Sequence, residues 1–193
     1  MKVSGIILAG GKSNRMGTNK ALLELGGVTL IERVARVMSG VCPEIIIAGG
    51  DPDELAHLGY PVVPDIYPGC GPLSGIHAGL VAARNRYSFV SACDTPYLSE
   101  KLIRKVVSEA EGYDAVILKE GEYFEPLCSL YGKAFIKAAE TSVKNGVYKV
   151  TAALSQVNWK SVTVNPSDIP DLKKSLFNIN TPRDYEEAKK IRG

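Results

Sequence analysis

Four stretches of the chain combine residue types and spacings suited to anionic ligands. The first, Leu8–Lys20, reads LAGGKSNRMGTNK and follows the apolar run Val3–Ile7. Glycines let backbone N–H groups approach a ligand closely, and the cations Lys12, Arg15 and Lys20 can neutralise it. A buried strand feeding such a loop is a place to hold nucleotide phosphates. The spacing excludes two well-known phosphate loops: no Gly-Lys-Ser/Thr stands at the P-loop distance, and GxGxxG is absent. The second stretch holds Asp65 and then PGCGPLSG, Pro68–Gly75. It breaks a strand and, from Gly71, opens a helix whose N-terminus offers free N–H groups and the positive end of its dipole. The third is Cys93-Asp94-Thr95-Pro96 behind the apolar Phe89–Ala92. A carboxylate at a strand tip projects outward, and Asp94 is the hard oxygen ligand Mg²⁺ prefers, since substrate phosphates and waters complete that ion's shell. The fourth, Asn178–Pro182, opens the final helix. Each stretch also has a plain structural alternative as a turn, a packing glycine or a helix cap.

The elements that must position these residues are legible as periodicity. Continuous apolar runs predict strands at Val3–Ala9, Glu44–Ala48, Pro61–Val63, Ser88–Ala92, Ala115–Leu118 and Leu127–Leu130. Amphipathic spacing predicts helices at Thr29–Met38, Asp51–Leu58, Pro72–Asn85, Ser99–Glu109, Lys133–Lys144 and Pro182–Arg192. Asp51-Pro52, Ser99 and Thr181-Pro182 are start signals. Strand-then-helix alternation with runs such as Ile45–Ile47 predicts an α/β fold with a parallel sheet covered on both faces. In such sheets ligands bind beyond the carboxyl ends of the strands, which is where all four stretches fall. Asn145–Leu176 is expected to hold an antiparallel excursion and a short helix.

Composition narrows the class. A chain of 193 residues is expected to form one domain spanning 1–193 with an ample core. A net charge of +2 implies no bulk attraction to nucleic acid or membrane. No stretch approaches the length of a membrane span, and no leader pattern precedes the first strand, so the expected compartment is the cytoplasm. Cys42, Cys70, Cys93 and Cys128 lack CxxC spacing and read as buried or idle thiols. His57 and His77 form no nucleophile–base pair and read as structural or surface residues.

Leu8–Lys20 resembles, nearly residue for residue, the LAGGxSxRMGxxK signature of nucleotidyltransferases that attach a nucleoside monophosphate to a phosphorylated acceptor. The chain is similar to the molybdenum cofactor guanylyltransferases in this loop, in GPLSGIHAGL, CDTPYLS and NINTPRDYEEA, and in Glu125–Tyr131. The resemblance implies a Rossmann-like three-layer fold with a mostly parallel central sheet. It implies GTP and molybdopterin as substrates, Mg²⁺ as cofactor, and room for a transient cofactor-delivery protein. By the same resemblance, Leu8, Ala9, Gly10, Gly11, Lys20, Asp65, Gly71 and Asp94 bind the nucleotide. Asp94 holds the metal, and Asn178 and Asn180 lie on the acceptor side. Whether Asp65 meets the ribose or the guanine stays open. In this chemistry the acceptor phosphate is already anionic and needs no strong base. The demands are neutralisation, in-line positioning and stabilisation of the leaving pyrophosphate. Arg15, Lys20 and Asp94 are the expected catalytic residues, Arg15 as a planar fork on phosphate oxygens and Lys20 as a compact charge. Lys12 reads as solvated. Three positions depart from the family: Asn19 replaces an aspartate, Ala48–Gly50 replaces an asparagine-containing turn, and Cys128 replaces a bulkier apolar residue. Rival acceptors are cobinamide phosphate, a sugar 1-phosphate or a pterin modified with CTP, and a non-catalytic GTP-binding module is the rival from another class.

Overall fold

A computed structural model describes residues 1–10, 19–165 and 168–191. Ser4–Leu8, apolar and buried throughout, forms strand β1. A hairpin of β2 (Glu24–Leu25) and β3 (Val28–Thr29), not expected from the sequence, turns on Gly26 and Gly27 and leads into α1 (Leu30–Ser39). Then come β4 (Glu44–Ala48), α2 (Pro52–Leu55), β5 (Val62–Val63), α3 (Pro72–Ala82) and β6 (Tyr87–Ala92). The second half runs through α4 (Glu100–Ser108), β7 (Ala115–Glu120), β8 (Tyr123–Gly132) and α5 (Phe135–Lys144). It closes with α6 (Val150–Ala153), β9 (Trp159–Thr163), α7 (Leu172–Ser175) and α8 (Pro182–Lys190). No helix among the described residues is long and apolar enough to cross a membrane.

Among these residues the main sheet has seven strands in the order β5-β4-β1-β6-β8-β7-β9. Only β8 runs against its neighbours, so the sheet is mostly parallel and the fold is α/β, as the alternation predicts. Successive side chains of a strand point to opposite faces, which splits the core in two. Ile7 packs under α1 and α4 with Val34, Met38 and Leu102, whereas Ile6 and Leu8 pack under α3 and α5 with Ile76, Leu80 and Phe135. Gly79 lets α3 lie directly on β1, since a Cβ there would stand 2.5 Å from Ile6 Cγ2.

The expected helix starts are present: Thr29 and Thr181 form capping boxes with Glu32 and Asp184, and Asp51 and Ser99 cap by side chain. Three expectations change. Helix α3 stops at Ala82 rather than Asn85, because the Arg84 N–H is taken by Glu44 at 2.9 Å and the Asn85 backbone N–H by Ser4 Oγ at 3.4 Å. Strand β8 begins well before Leu127. It contains Pro126 inside an irregularity: between Val116↔Leu130 and Leu118↔Glu125, β7 advances two residues and β8 five. A proline lacking its N–H is tolerated at such a bulge. Ser129 laces it, accepting from Leu118 N–H at 3.0 Å and donating to the Glu125 carbonyl at 2.6 Å. Within 145–176, β9 pairs parallel with β7 rather than forming the expected antiparallel excursion.

Two features of this framework yield predictions. Lys105 and Lys160 bind the Glu109 carboxylate at 2.9 and 2.8 Å, fastening β9 to the end of α4, and these hydrogen bonds lower its pKa from 4.5 to about 2. A carboxylate depressed by folding contributes stability above its unfolded pKa and loses it as pH falls through the folded value. In circular-dichroism melts the Tm advantage of the native chain over Glu109→Gln should therefore shrink between about pH 5 and about pH 2. The second feature is the approach of two loops: Gly49 has φ +74°, and a Cβ there would stand 2.7 Å from Gly10 Cα and 2.8 Å from its N. Gly59 shares the conformation at φ +71° but has nothing within 4 Å. In urea unfolding, Gly59→Ala should cost about 1 kcal/mol from backbone strain alone. Gly49→Ala should cost about 2–3 kcal/mol, because two backbones must also separate.

Candidate nucleotide and acceptor crevice

Strand order reverses at β1. The chain leaves β1 toward β4 and β5, returns through α3 to β6 on the other side of β1, and proceeds from there toward β7. That switch point opens a crevice beyond the carboxyl ends of β1 and β6, where α/β sheets bind ligands. The ladders extend into the loops that wall it: Ala9 N–H donates to Ala48 O at 2.9 Å, Cys93 N–H to Leu8 O at 3.1 Å, and Gly49 N–H to Val63 O at 2.9 Å.

Lys20 and Asp94 meet here from positions far apart in the chain. Lys20 begins a short 3₁₀ turn, Lys20–Leu22, capped by Asn19, whose Oδ1 accepts from Ala21 N–H at 3.1 Å. The Asn19 amide also donates to Glu54 at 2.8 Å, a bond an aspartate could not make. The departure at Asn19 thus keeps the cap and gains a tie to α2. Lys20 Nζ lies 3.2 Å from Asp94 Oδ2 and 3.0 Å from Asn180 Oδ1, so two oxygens of separate elements converge on one cation. Both charged side chains are largely screened from solvent, 19% and 17% exposed. A converging carboxylate and amide oxygen are hard donors, which fits a divalent metal such as Mg²⁺ as well as it fits an ammonium.

Asp65 occupies the opposite wall. Its Oδ1 is buried without a hydrogen-bond partner among the described residues, and burial raises its pKa. Glycines frame it: a Cβ on Gly10, Gly49 or Gly75 would lie within 3.8 Å of its carboxylate oxygens. The departure at Ala48–Gly50 has its reason here, because Gly49 must stay bare against Gly10 and cannot offer a side-chain contact. Gly71 is the N-cap of α3 at φ +63°, Pro72 is at the start of the helix, and no acidic residue sits in the first turn to offset the dipole. Leu8, Ala9, Gly10, Lys20, Asp65, Gly71 and Asp94 line one cavity of about 610 Å³.

A second cavity, of about 250 Å³, adjoins it and is lined by Asp94, Thr95, Glu125, Pro126, Cys128, Leu176, Asn178 and Asn180, among others. Ala92, Asp94 and Leu127 belong to both walls. Asn178 and Asn180 reach the site because Ile179 N–H donates to Asp94 O at 2.9 Å and Thr95 Oγ1 to Asn178 Oδ1 at 3.0 Å. The Asp184 carboxylate, accepting from the Asn180 and Thr181 N–H groups at 2.9 and 2.7 Å, fixes the turn that follows.

Of the residues singled out in the sequence, the structure thus gathers Leu8, Ala9, Gly10, Lys20, Asp65, Gly71, Asp94, Asn178 and Asn180 around one crevice. Gly11, Lys12 and Arg15 lie outside the described residues. His57 is exposed, with Nδ1 2.9 Å from Glu54 O, and buried His77 stands 3.3 Å from Glu140 and 5.1 Å from the Tyr67 ring. The four cysteines are buried and unpaired, and burial pushes the Cys42 and Cys93 thiols up to about 12. Leu127 and Glu125 were not singled out by sequence reasoning. Pro126 within a strand-like run was the available sign, since it marks a bulge, and bulges re-aim side chains beside sites.

The chain matches the model of the MobA-like NTP transferase domain over residues 5–157. It is 41% identical over 191 residues to the probable molybdenum cofactor guanylyltransferase of Pelotomaculum thermopropionicum, with 98% of this chain and 93% of the relative covered. The molybdenum cofactor guanylyltransferase of Desulfosudis oleivorans is 37% identical, with 96% and 94% covered. The crystal structure of molybdopterin-guanine dinucleotide biosynthesis protein A from Archaeoglobus fulgidus superposes at TM-score 0.83 and 28% identity, with 97% of each chain covered. A model spanning most of the chain, relatives similar along nearly its whole length and a shared sheet agree: the chain belongs to the MobA-like NTP transferase domain family.

Proposed function

We propose that this chain transfers GMP from GTP to the phosphate of molybdopterin, releasing pyrophosphate and forming the guanine dinucleotide cofactor. The observation that carries the reading is Asp94, set at the switch point on the wall common to both cavities, where it and Asn180 converge on the Lys20 ammonium. Such an arrangement suits a reaction between two ligands, one in each cavity, whose reacting phosphates meet at a cation. GTP takes the larger cavity. Leu8 and Ala9 wall it, and the backbone of Gly10 and the N-terminus of α3 at Gly71 offer donors to it. Asp65, in a slot walled by glycines, accepts from the ring N–H and amino group of guanine, a reading supported by its buried oxygen, which has no partner among the described residues.

Molybdopterin takes the smaller cavity beside Asn178 and Asn180. Its phosphate oxygen attacks the α-phosphorus, a new P–O bond forms, and the bond to the β-phosphate oxygen breaks as pyrophosphate leaves. No proton need be removed from an acceptor already ionised at neutral pH. Lys20 offsets the charge gathering between the two phosphates, and Arg15 is assigned the clamp on the phosphate oxygens. Asp94, with Asn180 beside it, holds Mg²⁺, which when bound draws charge from the phosphate oxygens and the leaving pyrophosphate.

The test is pyrophosphate release with Mg²⁺, each nucleoside triphosphate in turn, and molybdopterin or cobinamide phosphate as acceptor. Release with GTP and molybdopterin, lost with chelator and restored by Mg²⁺, is expected. Release with cobinamide phosphate alone would move the enzyme to another acceptor, and tight GTP binding without release would favour a binding module. Asp94→Asn and Lys20→Met should each lower kcat about 100-fold or more. Asp94→Asn should shift GTP affinity, measured by calorimetry, by less than about tenfold. Inosine triphosphate lacks the 2-amino group, so the native chain should prefer GTP over it by about tenfold or more, and Asp65→Asn should erase that preference.

A further inference from the structure

The bulge in β8 delivers one more charged group to the crevice. Glu125 lines the smaller cavity with Asp94, Asn178 and Asn180, while Pro126, Leu127 and Leu176 supply apolar walls. Its side chain is half-buried, and its carboxylate makes no hydrogen bond or ion pair among the described residues; only its backbone carbonyl is engaged, by Ser129. Two other partly buried carboxylates do have partners: Glu44 has Ser4 and Arg84, and Glu109 has Lys105 and Lys160. Burial, and then the Glu120 carboxylate, raise the Glu125 pKa, and no cation among the described residues offsets them. A carboxylate half-removed from water without a counter-charge is costly unless something else donates to it.

Asp65 shares this condition in the larger cavity, where burial alone raises its pKa. Each cavity that meets at Asp94 therefore has its own acidic acceptor lacking a donor among the described residues. The proposed reaction joins two molecules whose rings carry the same edge. Guanine and pterin both present a ring N–H beside an exocyclic amino group, two parallel donors that match the two oxygens of a carboxylate.

We infer that Glu125 is a specificity-determining residue that reads the acceptor's pterin ring, accepting hydrogen bonds from its ring N–H and 2-amino group. The inference rests on the proposed reaction, because it takes the acceptor to be a pterin. It also orients the acceptor: a carboxylate repels phosphate, so the ring lies at Glu125 and the phosphate points to Lys20 and Asp94. The apolar walls take the ring faces, and Asn178 and Asn180 span the length between.

The experiment uses the full chain with 6-hydroxymethylpterin monophosphate and its 2-oxo counterpart, the lumazine monophosphate, each titrated by its own fluorescence. The native chain should bind the pterin at least about tenfold more tightly, because the 2-oxo group turns an acceptor toward the carboxylate. Glu125→Gln should weaken pterin binding about tenfold and erase the preference while leaving GTP affinity unchanged. With molybdopterin as acceptor, the same variant should raise KM about tenfold and keep kcat within about threefold. Equal affinity of the native chain for the two rings would overturn the inference without any variant. An unchanged molybdopterin KM in Glu125→Gln, in a native chain that does transfer GMP to molybdopterin, would overturn it and leave the reaction standing. Absence of transfer to molybdopterin in the native chain would remove the proposed reaction, and the inference with it.

Discussion

Asp94 is held by both its side chain and its backbone, and the crevice takes its form from those two attachments. Lys20 Nζ lies 3.2 Å from its carboxylate, and Ile179 donates its N–H to the Asp94 carbonyl at 2.9 Å. The first bond brings in the turn that follows the glycine-rich loop, and the second brings in a segment 85 residues downstream (179 − 94). Ile179 is wholly buried with Leu25, Leu30 and Ala188, so a hydrophobic gain of about 1.5–3 kcal/mol helps fix that segment. In an extended segment, neighbouring side chains alternate sides. With Ile179 turned into the core, Asn178 and Asn180 are left to face the crevice. The small β2–β3 hairpin, unremarkable in the sequence, contributes Leu25 to this cluster.

The crevice walls depend on how closely backbones approach. Gly10 and Gly49 touch backbone to backbone across two loops, Gly75 admits the Leu8 side chain, and Gly79 admits that of Ile6, so β1, the β4 loop and α3 close tightly around Asp65. Removing that steric bulk leaves a slot framed by backbone with one carboxylate at its end. Lys20 is arranged on the opposite principle. Two oxygens converge on its ammonium, a local balance of charge that the 3₁₀ turn and the Asn19 cap hold in place.

Much of this was legible in the chain itself. Apolar runs located β1, β4, β6 and β7, and cap signals at Asp51, Ser99 and Thr181 located helix starts, because hydrophobic periodicity and capping are local effects. Motif composition and the strand-end rule marked the stretches, and the family resemblance named Leu8–Gly10, Asp65, Gly71, Asp94 and the Asn178–Asn180 pair within them. What escaped was non-local. The end of α3 is set by Glu44 and Ser4 some forty and eighty residues earlier, which claim the groups that would have prolonged the helix. Strand β9 is short and half-exposed and takes its parallel direction from β7, so no pattern within it reveals that direction. The bulge in β8 exists because its partner β7 keeps regular spacing while β8 must accommodate Pro126.

The sequence by itself therefore determined the class of fold, the candidate residues and the end of the sheet at which they gather, since each follows from residue type, short-range spacing and the handed rules of α/β sheets. Only the tertiary structure decided which of them touch. That Lys20 reaches Asp94 and Asn180 together, that Asp65 keeps a buried oxygen with no partner among the described residues, and that Asp94 stands on the wall of two cavities are consequences of three-dimensional packing. Glu125 shows the difference most clearly. The chain marks Glu125 only as part of a stretch shared with the family, and the irregular pairing of β7 with β8 carries it into the cavity beside Asn178 and Asn180.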